Sequence, residues 1–235
     1  SFQTYLPTIA LSNVTSMLKL YHSISGMPAS KTGFAISMSN DGTRLAVGAH
    51  HDSLLSRSQN AGMVRIYDLL VTAENKEGIW ELIKEISGYH SNEQFGFSVS
   101  FSSNGRRLAI GAPGYDAGNK PNCGSVRIYE ERPQGDWSIV TELFGVETGD
   151  VFGSSVSLST SGHRVAVGSP FHRMRSGKAE VFEDKNSTNW TSVGEQIVGE
   201  SYDDILGSSV SLSQDGLQLS IGAPNHWYNK SGYVM

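Results

Sequence analysis

The chain has 235 residues, of which 18 are Lys or Arg and 23 are Asp or Glu, giving a formal net charge of −5. This modest acidity supplies no electrostatic attraction for nucleic acid or an anionic membrane surface. No apolar run reaches the roughly 18 residues that a membrane span needs. The composition therefore argues against nucleic-acid binding and against direct membrane insertion.

The single cysteine, Cys123, offers no disulfide framework. Four Asn-X-Ser/Thr sequons weakly favour a secretory route and are candidate glycosylation sites. They lie at Asn13, Asn186, Asn189 and Asn229.

The earliest repeated element in chain order is a Gly followed by a Ser-rich strand. Its four copies begin at Gly33, Gly96, Gly153 and Gly207, so the starts lie 63, 57 and 54 residues apart. A period of this size predicts a repeat array, because a single unit cannot bury its own apolar face.

Within each copy the first strand alternates bulky and small side chains, as Val99 and Phe101 do with Ser98, Ser100 and Ser102. One face is thus apolar and the other carries only serine, which suits a strand crowded near a central axis. A Gly-containing turn follows and predicts a hairpin. The turn glycines are Gly42, Gly105, Gly162 and Gly216.

Three further strands follow in each of the first three copies, and two in the last. The second strand ends in a Gly-Ala-Pro-like element, and the third places Arg65, Arg127 and Glu180 in one register. The fourth starts at Trp80, Trp137 and Trp190, whose fixed register indicates packing within the blade. Four antiparallel strands per unit predict an all-β fold, a β-propeller of four-stranded blades.

The domain prediction is an N-terminal extension over residues 1–16 and a propeller over residues 17–235. The segment 18–26 is expected to complete a blade, and the last copy stops in its third strand. Two arrangements stay open: a closed four-bladed ring, and part of a larger ring of six to seven blades.

The repeat resembles the FG-GAP repeats of integrin-alpha-like β-propellers. Phe95-Gly96 and Phe152-Gly153 match the FG element. In the other two copies Leu or Thr replaces the Phe, as Leu206-Gly207 and Thr32-Gly33. The GAP element is matched by 111–113 and 222–224, and is varied at 168–170 and 48–50. The resemblance implies adhesion or assembly at an extracellular, cell-surface or luminal location.

Many repeats of that family carry an Asp-rich calcium loop between the first two strands, whereas here this loop has shrunk to a hairpin. Asp41 and Asp215 offer one carboxylate each, too few for the six to eight oxygens that calcium takes. We therefore expect no calcium, no other metal and no cofactor, as in a short-loop variant of the family.

The candidate binding residues lie in the loops between the second and third strands, because loops on a rigid scaffold commonly carry function. Aromatic and arginine side chains dominate interface energies. The partner-binding candidates are His50, His51, Asp52, Arg57, Tyr115, Asp116, Phe171, His172, Arg173, Arg175, His226, Trp227 and Tyr228.

Three functions were weighed on these residues. No nucleophile–base pair or phosphate-cradling motif stands out, so we expect no catalytic residues and no enzyme. A metal-dependent hydrolase would hold its metal with His50, His51 and Asp52 and with His172 and His226 on equivalent loops. A lectin-like propeller would use Tyr115, Trp227 and Tyr228. The favoured interpretation is a non-catalytic module that binds another protein, for example as a peripheral subunit of a larger assembly.

Overall fold

The computed structural model of the protein describes residues 23–53, 59–73, 78–186, 189–225 and 232–235. The strands in these ranges form four antiparallel sheets, and in each sheet consecutive strands are neighbours. Each sheet is therefore an up-and-down blade, and the all-β propeller fold predicted from the sequence is confirmed.

The strand bounds follow the repeat closely. The first blade comprises β1 (Ala35–Met38), β2 (Arg44–Ala49), β3 (Met63–Leu70) and β4 (Ile79–Ser87). The second comprises β5 (Ser98–Phe101), β6 (Arg107–Ala112), β7 (Ser125–Glu131) and β8 (Trp137–Phe144). The third comprises β9 (Ser155–Leu158), β10 (Arg164–Ser169), β11 (Lys178–Asp184) and β12 (Trp190–Val198). The fourth comprises β13 (Ser209–Leu212), β14 (Leu219–Ala223) and β15 (Tyr233–Val234). A tight turn spans His172–Arg175, with non-helical backbone angles at Arg173 and Met174.

The innermost strands, β1, β5, β9 and β13, converge on one cavity of about 180 Å³. Met38, Phe101, Leu158 and Leu212, which hold equivalent positions in the four copies, all line it. The apolar core lies between the sheets, where Trp137 is buried and Trp190 packs partly buried. The packing role predicted for these two tryptophans is confirmed.

The serine face of each inner strand joins neighbouring blades. A serine hydroxyl accepts a hydrogen bond from the free-edge backbone N–H of the next inner strand. The pairs, serine oxygen to backbone nitrogen, are Ser37–Phe101 at 2.9 Å, Ser100–Leu158 at 2.9 Å and Ser157–Leu212 at 3.0 Å. The small residues predicted for this face therefore also connect consecutive blades.

A second repeated contact involves the large residue that precedes each repeat glycine. Phe95 forms a parallel bridge with Gly62 of the preceding blade, and Phe152 and Leu206 do the same with Gly124 and Gly177. A Cβ added at any of these three bridging glycines would overlap the backbone carbonyl of the bridged residue. We call the surface that receives this residue the blade seat; in the first blade it is formed by Gly48 and Gly62.

An arginine at the start of the second strand links consecutive blades at the other end of the sheets, away from the bridging glycines. Arg44 contacts Glu131 at 2.7 Å, and Arg107 contacts Asp184 at 2.9 Å, in each case reaching the third strand of the next blade. Arg164 donates to the Gly216 carbonyl of the next turn at 3.1 Å. These ion pairs are partly or fully buried, so they tie blade to blade where water is largely excluded.

The first and last blades are not packed on each other as consecutive blades are. Ile36 and Met38 are 66% and 52% exposed, whereas their equivalents Val99 and Phe101 are 8% and 7% exposed. On the fourth blade Ser211 is exposed. Among the described residues, the four blades therefore form an arc in which the first and last blades do not pack on each other as consecutive blades do, and the number of blades in the ring stays a prediction.

Two further sequence predictions have mixed outcomes. The turn glycines at 42, 105, 162 and 216 all adopt positive φ, as tight hairpins require. Asp41 caps its turn by accepting hydrogen bonds from Ser39 and Thr43, which lower its pKa to about 2.

The segment 18–26 was expected to complete a blade, but residues 23–26, its described part, lie in no strand.

Candidate functional site

The candidate residues lie at one end of the blades, which we call the loop face. It consists of two kinds of loop, those from the second to the third strand and those from the fourth strand to the next blade. Both kinds lie at the same end of the sheets, because neighbouring strands are antiparallel. The two kinds of loop are joined by backbone hydrogen bonds such as Asn92 N–H to Gln59 O at 2.7 Å. The two kinds of loop therefore form one surface, held together by backbone hydrogen bonds.

In the first blade, two of the three described candidates are buried and cannot contact a partner directly. The His50 ring lies 4.2 Å from the Phe34 ring and 5.2 Å from the Phe97 ring, centroid to centroid. Burial, with smaller contributions from His51 and Lys31, lowers the pKa of His50 to about 4. Asp52 is buried in an ion pair with Arg65 at 2.9 Å. Of this group, only His51 is partly exposed.

In the second blade, Tyr115 belongs to a cluster of aromatic side chains. Its ring centroid lies 5.6 Å from that of His90 and 5.4 Å from that of Phe144. Tyr89 and Tyr115 lie around a common cation, and Tyr89 and Phe144 are 57% and 43% exposed. We call Tyr89, His90, Tyr115 and Phe144 the aromatic patch.

The cation beneath the aromatic patch is Arg127, which is fully buried. Its guanidinium carbon lies 4.4 Å from the Tyr89 ring centroid, and the group donates hydrogen bonds to Glu93 and Glu142, both at 2.6 Å. Burial acts to lower the pKa of Arg127, but these hydrogen bonds outweigh it and raise the pKa above its ordinary value. The patch therefore rests on a charge that is fixed in position.

Asp116 and Cys123 serve the loop itself. The exposed Asp116 accepts the Asn122 backbone N–H at 2.7 Å. Cys123 is buried, with its Sγ 3.5 Å from the Tyr115 carbonyl oxygen. Both contacts hold the loop that carries Tyr115.

In the third blade, His172 is buried, contrary to its prediction as a contact residue. Its Nδ1–H donates to Asp150 Oδ1 at 2.9 Å, and Glu147 Oε2 lies 3.8 Å from the same nitrogen. These three groups have a spacing that could hold a metal ion. However, Asp150 Oδ2 already accepts the Glu147 N–H, and the buried Lys178 ammonium lies 4.0 Å from it. We interpret the cluster as an internal network that fixes this loop.

The tip of the same loop is exposed and carries the other candidates. Phe171, Arg173 and Arg175 all face solvent, and Met174 between them is 79% exposed. Arg175 lies 5.0 Å from the Phe171 ring and pairs with Asp203 at 2.9 Å. Arg173, Met174 and Arg175 adopt positive φ, so the tip is a tightly wound turn. It is a second exposed apolar and cationic surface.

The remaining candidates cannot all be placed. Arg57, His226, Trp227 and Tyr228 lie outside the described residues, as do the sequons at Asn13 and Asn229. Asn186 and Asn189 are exposed in the hairpin between β11 and β12, and their glycosylation stays a prediction.

Sequence reasoning missed the buried acids behind the loop face. Glu93, Asp150 and Asp204 each lie three residues before a repeat glycine, and each accepts a backbone N–H of its own loop. This recurrence was a readable signal in the sequence. The exposure of Tyr89 and Phe144 carried no such signal, because Tyr89 follows β4 and Phe144 ends β8, both outside the loops from the second to the third strand.

A further cavity lies away from the loop face. It measures about 790 Å³ and is formed around the hairpin between β7 and β8, with Arg106, Glu130 and Arg132 among its lining residues. Its polar lining residues already serve other contacts, as Glu130 does with Arg107 at 3.0 Å. It holds no arrangement of groups that suggests chemistry.

Comparison with known proteins gives a likeness of fold. No protein-family model matches the chain, and no curated protein matches it. Among solved structures it is similar to Sqt1 from Chaetomium thermophilum, at 17% identity over 84% of this chain and 43% of that one, with a TM-score of 0.52. It is also similar to a putative 6-phosphogluconolactonase from Bacteroides uniformis ATCC 8492, at 12% identity over 91% of this chain and 57% of that one, with a TM-score of 0.55.

The likeness to TolB from Acinetobacter baumannii has a TM-score of 0.45 at 14% identity. The chain spans about half the length of each of these three solved structures. At these identities the likeness concerns the fold alone. In the described ranges, no helix is long and apolar enough to cross a membrane.

Proposed function

We propose that this protein is a non-catalytic interaction module that recognises another protein through its loop face, with the aromatic patch as the centre of contact. The single observation that supports this is the patch itself. Exposed aromatic side chains lie over the buried Arg127, which forms ion pairs with Glu93 and Glu142. Aromatic residues and arginine are the residue types that contribute most to binding energies at protein interfaces.

The geometry favours binding with little rearrangement. Glu93 is fully buried and holds both Arg127 and the backbone N–H groups of Tyr89 and His90. The loop that carries two patch residues is therefore fixed to the cation on which the patch rests. A preordered surface loses less side-chain entropy on binding than a mobile one.

The resemblance to FG-GAP repeats supports a more specific proposal, a scaffold or adhesion subunit at an extracellular, cell-surface or luminal location. The exposed sequons at Asn186 and Asn189 are consistent with a glycoprotein. The fold is compatible with this role, but folds of this kind carry many functions. The role therefore depends on the residues of the loop face.

The deciding experiment is cross-linking mass spectrometry on the protein isolated gently from its native source, followed by binding assays with the linked partner. Lys120 is exposed on the loop face and is the reporter lysine; Lys178 is buried in an ion pair with Glu180 and should not react. We expect stoichiometric links from Lys120 to a protein.

A matched pair of variants on one strand then tests the patch. Phe144→Ser changes the patch end of β8, and Ile139→Ser changes an equally exposed residue (43% against 40%) toward the other end. We expect Phe144→Ser alone to weaken partner binding, by about tenfold or more. Equal effects of both variants, or the absence of any linked protein, would refute the proposal.

Glycan binding is the second candidate, since the exposed Tyr89 and the partly exposed Tyr115 could stack on sugar rings. It would be favoured if free sugar displaced the partner, or if the isolated protein bound a glycan array and lost that binding in Tyr89→Ala.

A further inference from the structure

We propose that the exposed turn of the third blade is a second contact point for the protein partner, and that it fits an apolar pocket with a carboxylate at its rim. The turn comprises residues 171–175, which we call the loop tip. This inference rests on the function proposed above, because the loop tip belongs to the loop face. It names the chemistry of a contact that the aromatic patch does not make.

The loop tip presents apolar side chains to solvent although both neighbouring blades are in place. Met174 is 79% exposed, the largest value for a large apolar side chain among the described residues, and Phe171 is also exposed. The second blade contributes Asp150, which contacts His172, and the segment that leads to the fourth blade contributes Asp203. These contacts leave Met174 open. Its exposure is therefore a property of the turn and does not arise from a missing neighbour.

The backbone of the loop tip is strained. Arg173, Met174 and Arg175 adopt φ angles of 43°, 57° and 70°. Residues other than glycine rarely adopt this left-handed region, because each then carries a steric penalty. A turn of three such residues without glycine must be held by other contacts, and strained backbone of this kind clusters at functional sites.

Contacts on both sides hold this turn. His172 Nδ1–H donates to Asp150 at 2.9 Å, and the Ser176 hydroxyl donates to the His172 carbonyl oxygen at 3.2 Å. The Ile205 N–H donates to the Arg175 carbonyl oxygen at 2.9 Å. The exposed side chains are thus mounted on a turn that is ordered before binding, and a preordered surface loses less entropy in a complex.

The charges of the loop tip favour a carboxylate on the partner. Arg175 is paired with Asp203 at 2.9 Å and lies 5.0 Å from the Phe171 ring centroid. The exposed Arg173 side chain has no hydrogen bond or ion pair with the described part of the chain. An arginine in this state can bind a carboxylate through two parallel hydrogen bonds. The matching surface is therefore an apolar pocket for Met174 with Asp or Glu at its rim.

An anionic membrane is the other surface that an apolar turn flanked by arginines could contact. Recognition of anionic lipid takes a cluster of about four to eight Lys or Arg. The loop tip has one arginine without a partner in the described residues, and the half-exposed Glu147 lies 3.8 Å from His172 Nδ1. A single carboxylate needs only a single arginine, so the charges favour a protein.

The test replaces Met174 by the photoreactive amino acid p-benzoylphenylalanine and illuminates the protein in an extract of its native source. The matched control carries the same group in place of Leu217, which is 71% exposed in the hairpin between β13 and β14, at the other end of the sheets. We expect position 174 to link to the protein that also links to Lys120, at an apolar segment that contains Asp or Glu. Position 217 should not link to that segment.

Charge reversal then tests the ion pair with the purified protein and that partner. Arg173→Glu should weaken binding by about tenfold or more, and changing the linked Asp or Glu of the partner to Arg should restore most of the loss. Arg132→Glu is the control, because Arg132 is exposed at the other end of the sheets, and it should leave the affinity within about twofold.

Met174→Gly separates binding from folding. Glycine relieves the left-handed strain, so we expect the melting temperature to rise by about 2 °C. The same variant removes the apolar side chain and should weaken partner binding by about tenfold. Unchanged affinity would show that the methionine makes no contact.

The inference and the proposed function fail in different ways. Protein links from Lys120 without any from position 174, equal links from positions 174 and 217, or unchanged affinity of Arg173→Glu would overturn the inference and leave the proposed function standing. Absence of any protein link from either Lys120 or position 174 would refute both. Co-sedimentation with phosphatidylserine vesicles that is lost in Arg173→Glu would overturn the inference in favour of a membrane.

Discussion

The Ser100 hydroxyl accepts a hydrogen bond from the Leu158 backbone N–H at 2.9 Å, across the boundary between the second and third blades. The N–H points away from its own sheet, because alternate residues of an antiparallel edge strand direct their N–H groups outward. Without this serine, the N–H of the buried Leu158 would have no partner. The contact recurs at Ser37 and Ser157, so it is a property of the repeat.

Ser100→Ala should therefore destabilise the protein by about 1–2 kcal/mol, the cost of leaving a buried donor unsatisfied. Ser211→Ala provides the control, because Ser211 holds the same position on the uncovered face of the fourth blade and is exposed. We expect no measurable change in the isolated chain for the control. Urea unfolding followed by circular dichroism measures both, and equal midpoints would contradict the role of the serine.

Gly168→Ala tests the close approach of consecutive blades. Its Cβ would overlap the Gly207 carbonyl of the next blade, and neither group can move without separating the sheets. We expect a loss of about 3 kcal/mol, as for overpacked interiors. Gly222→Ala is the matched control, because its nearest neighbour is the Ser209 side chain. Thermal melts should show a much smaller loss for the control, and similar losses would show that the glycine matters only for its own strand.

The sequence predicted the blades well because the signal for them is local. Alternation of Val99 and Phe101 with serines specifies a strand with two unlike faces, and the turn glycines specify where it reverses. The hydroxyl contacts between blades were not predictable from that pattern. They depend on how one sheet is offset from the next, which no single repeat encodes.

The candidate site was predicted less well, because burial in a loop is decided by distant residues. His50 was expected to be exposed, but the rings of Phe34 and Phe97, from two different blades, cover it. For Arg127 the sequence predicted only its position on the third strand. Its ion pairs could not be predicted, because its partners Glu93 and Glu142 come from separate elements. Tyr115 was predicted as a contact residue of its loop and is partly exposed, whereas its neighbours in the patch lie outside these loops: Tyr89 and His90 follow β4, and Phe144 is the last residue of β8.

Arg127→Met should destabilise the protein by about 3–5 kcal/mol, because it leaves the fully buried Glu93 carboxylate without its counter-charge. Arg132→Ala is the control: Arg132 is exposed, and its side chain donates a hydrogen bond to the Ser138 hydroxyl at 2.7 Å. Its loss should change stability by less than about 0.5 kcal/mol. The double variant Glu93→Gln with Arg127→Met should recover part of the loss, and the absence of any recovery would mean that packing of the guanidinium stem dominates.

The stability of the first blade should depend on pH through His50. Its pKa is about 4 in the folded protein, against an ordinary value of 6.5, because burial and the neighbouring charges of His51 and Lys31 disfavour the charged ring. Between these two values the unfolded chain binds a proton that the folded chain does not. Stability should therefore be fully present above about pH 6.5 and fall as the pH drops toward 4, by up to about 3 kcal/mol.

His50→Phe should remove this component, because phenylalanine can pack against Phe34 and Phe97 and cannot take up a proton. His90→Gln, which changes an exposed histidine of the aromatic patch, should keep the pH dependence of the native protein. Urea unfolding midpoints for the three proteins between about pH 4.5 and about pH 7.5, a range that covers most of the transition, measure the difference. If His50→Phe loses stability toward acid as steeply as the native protein, the buried histidine is not the responsible group.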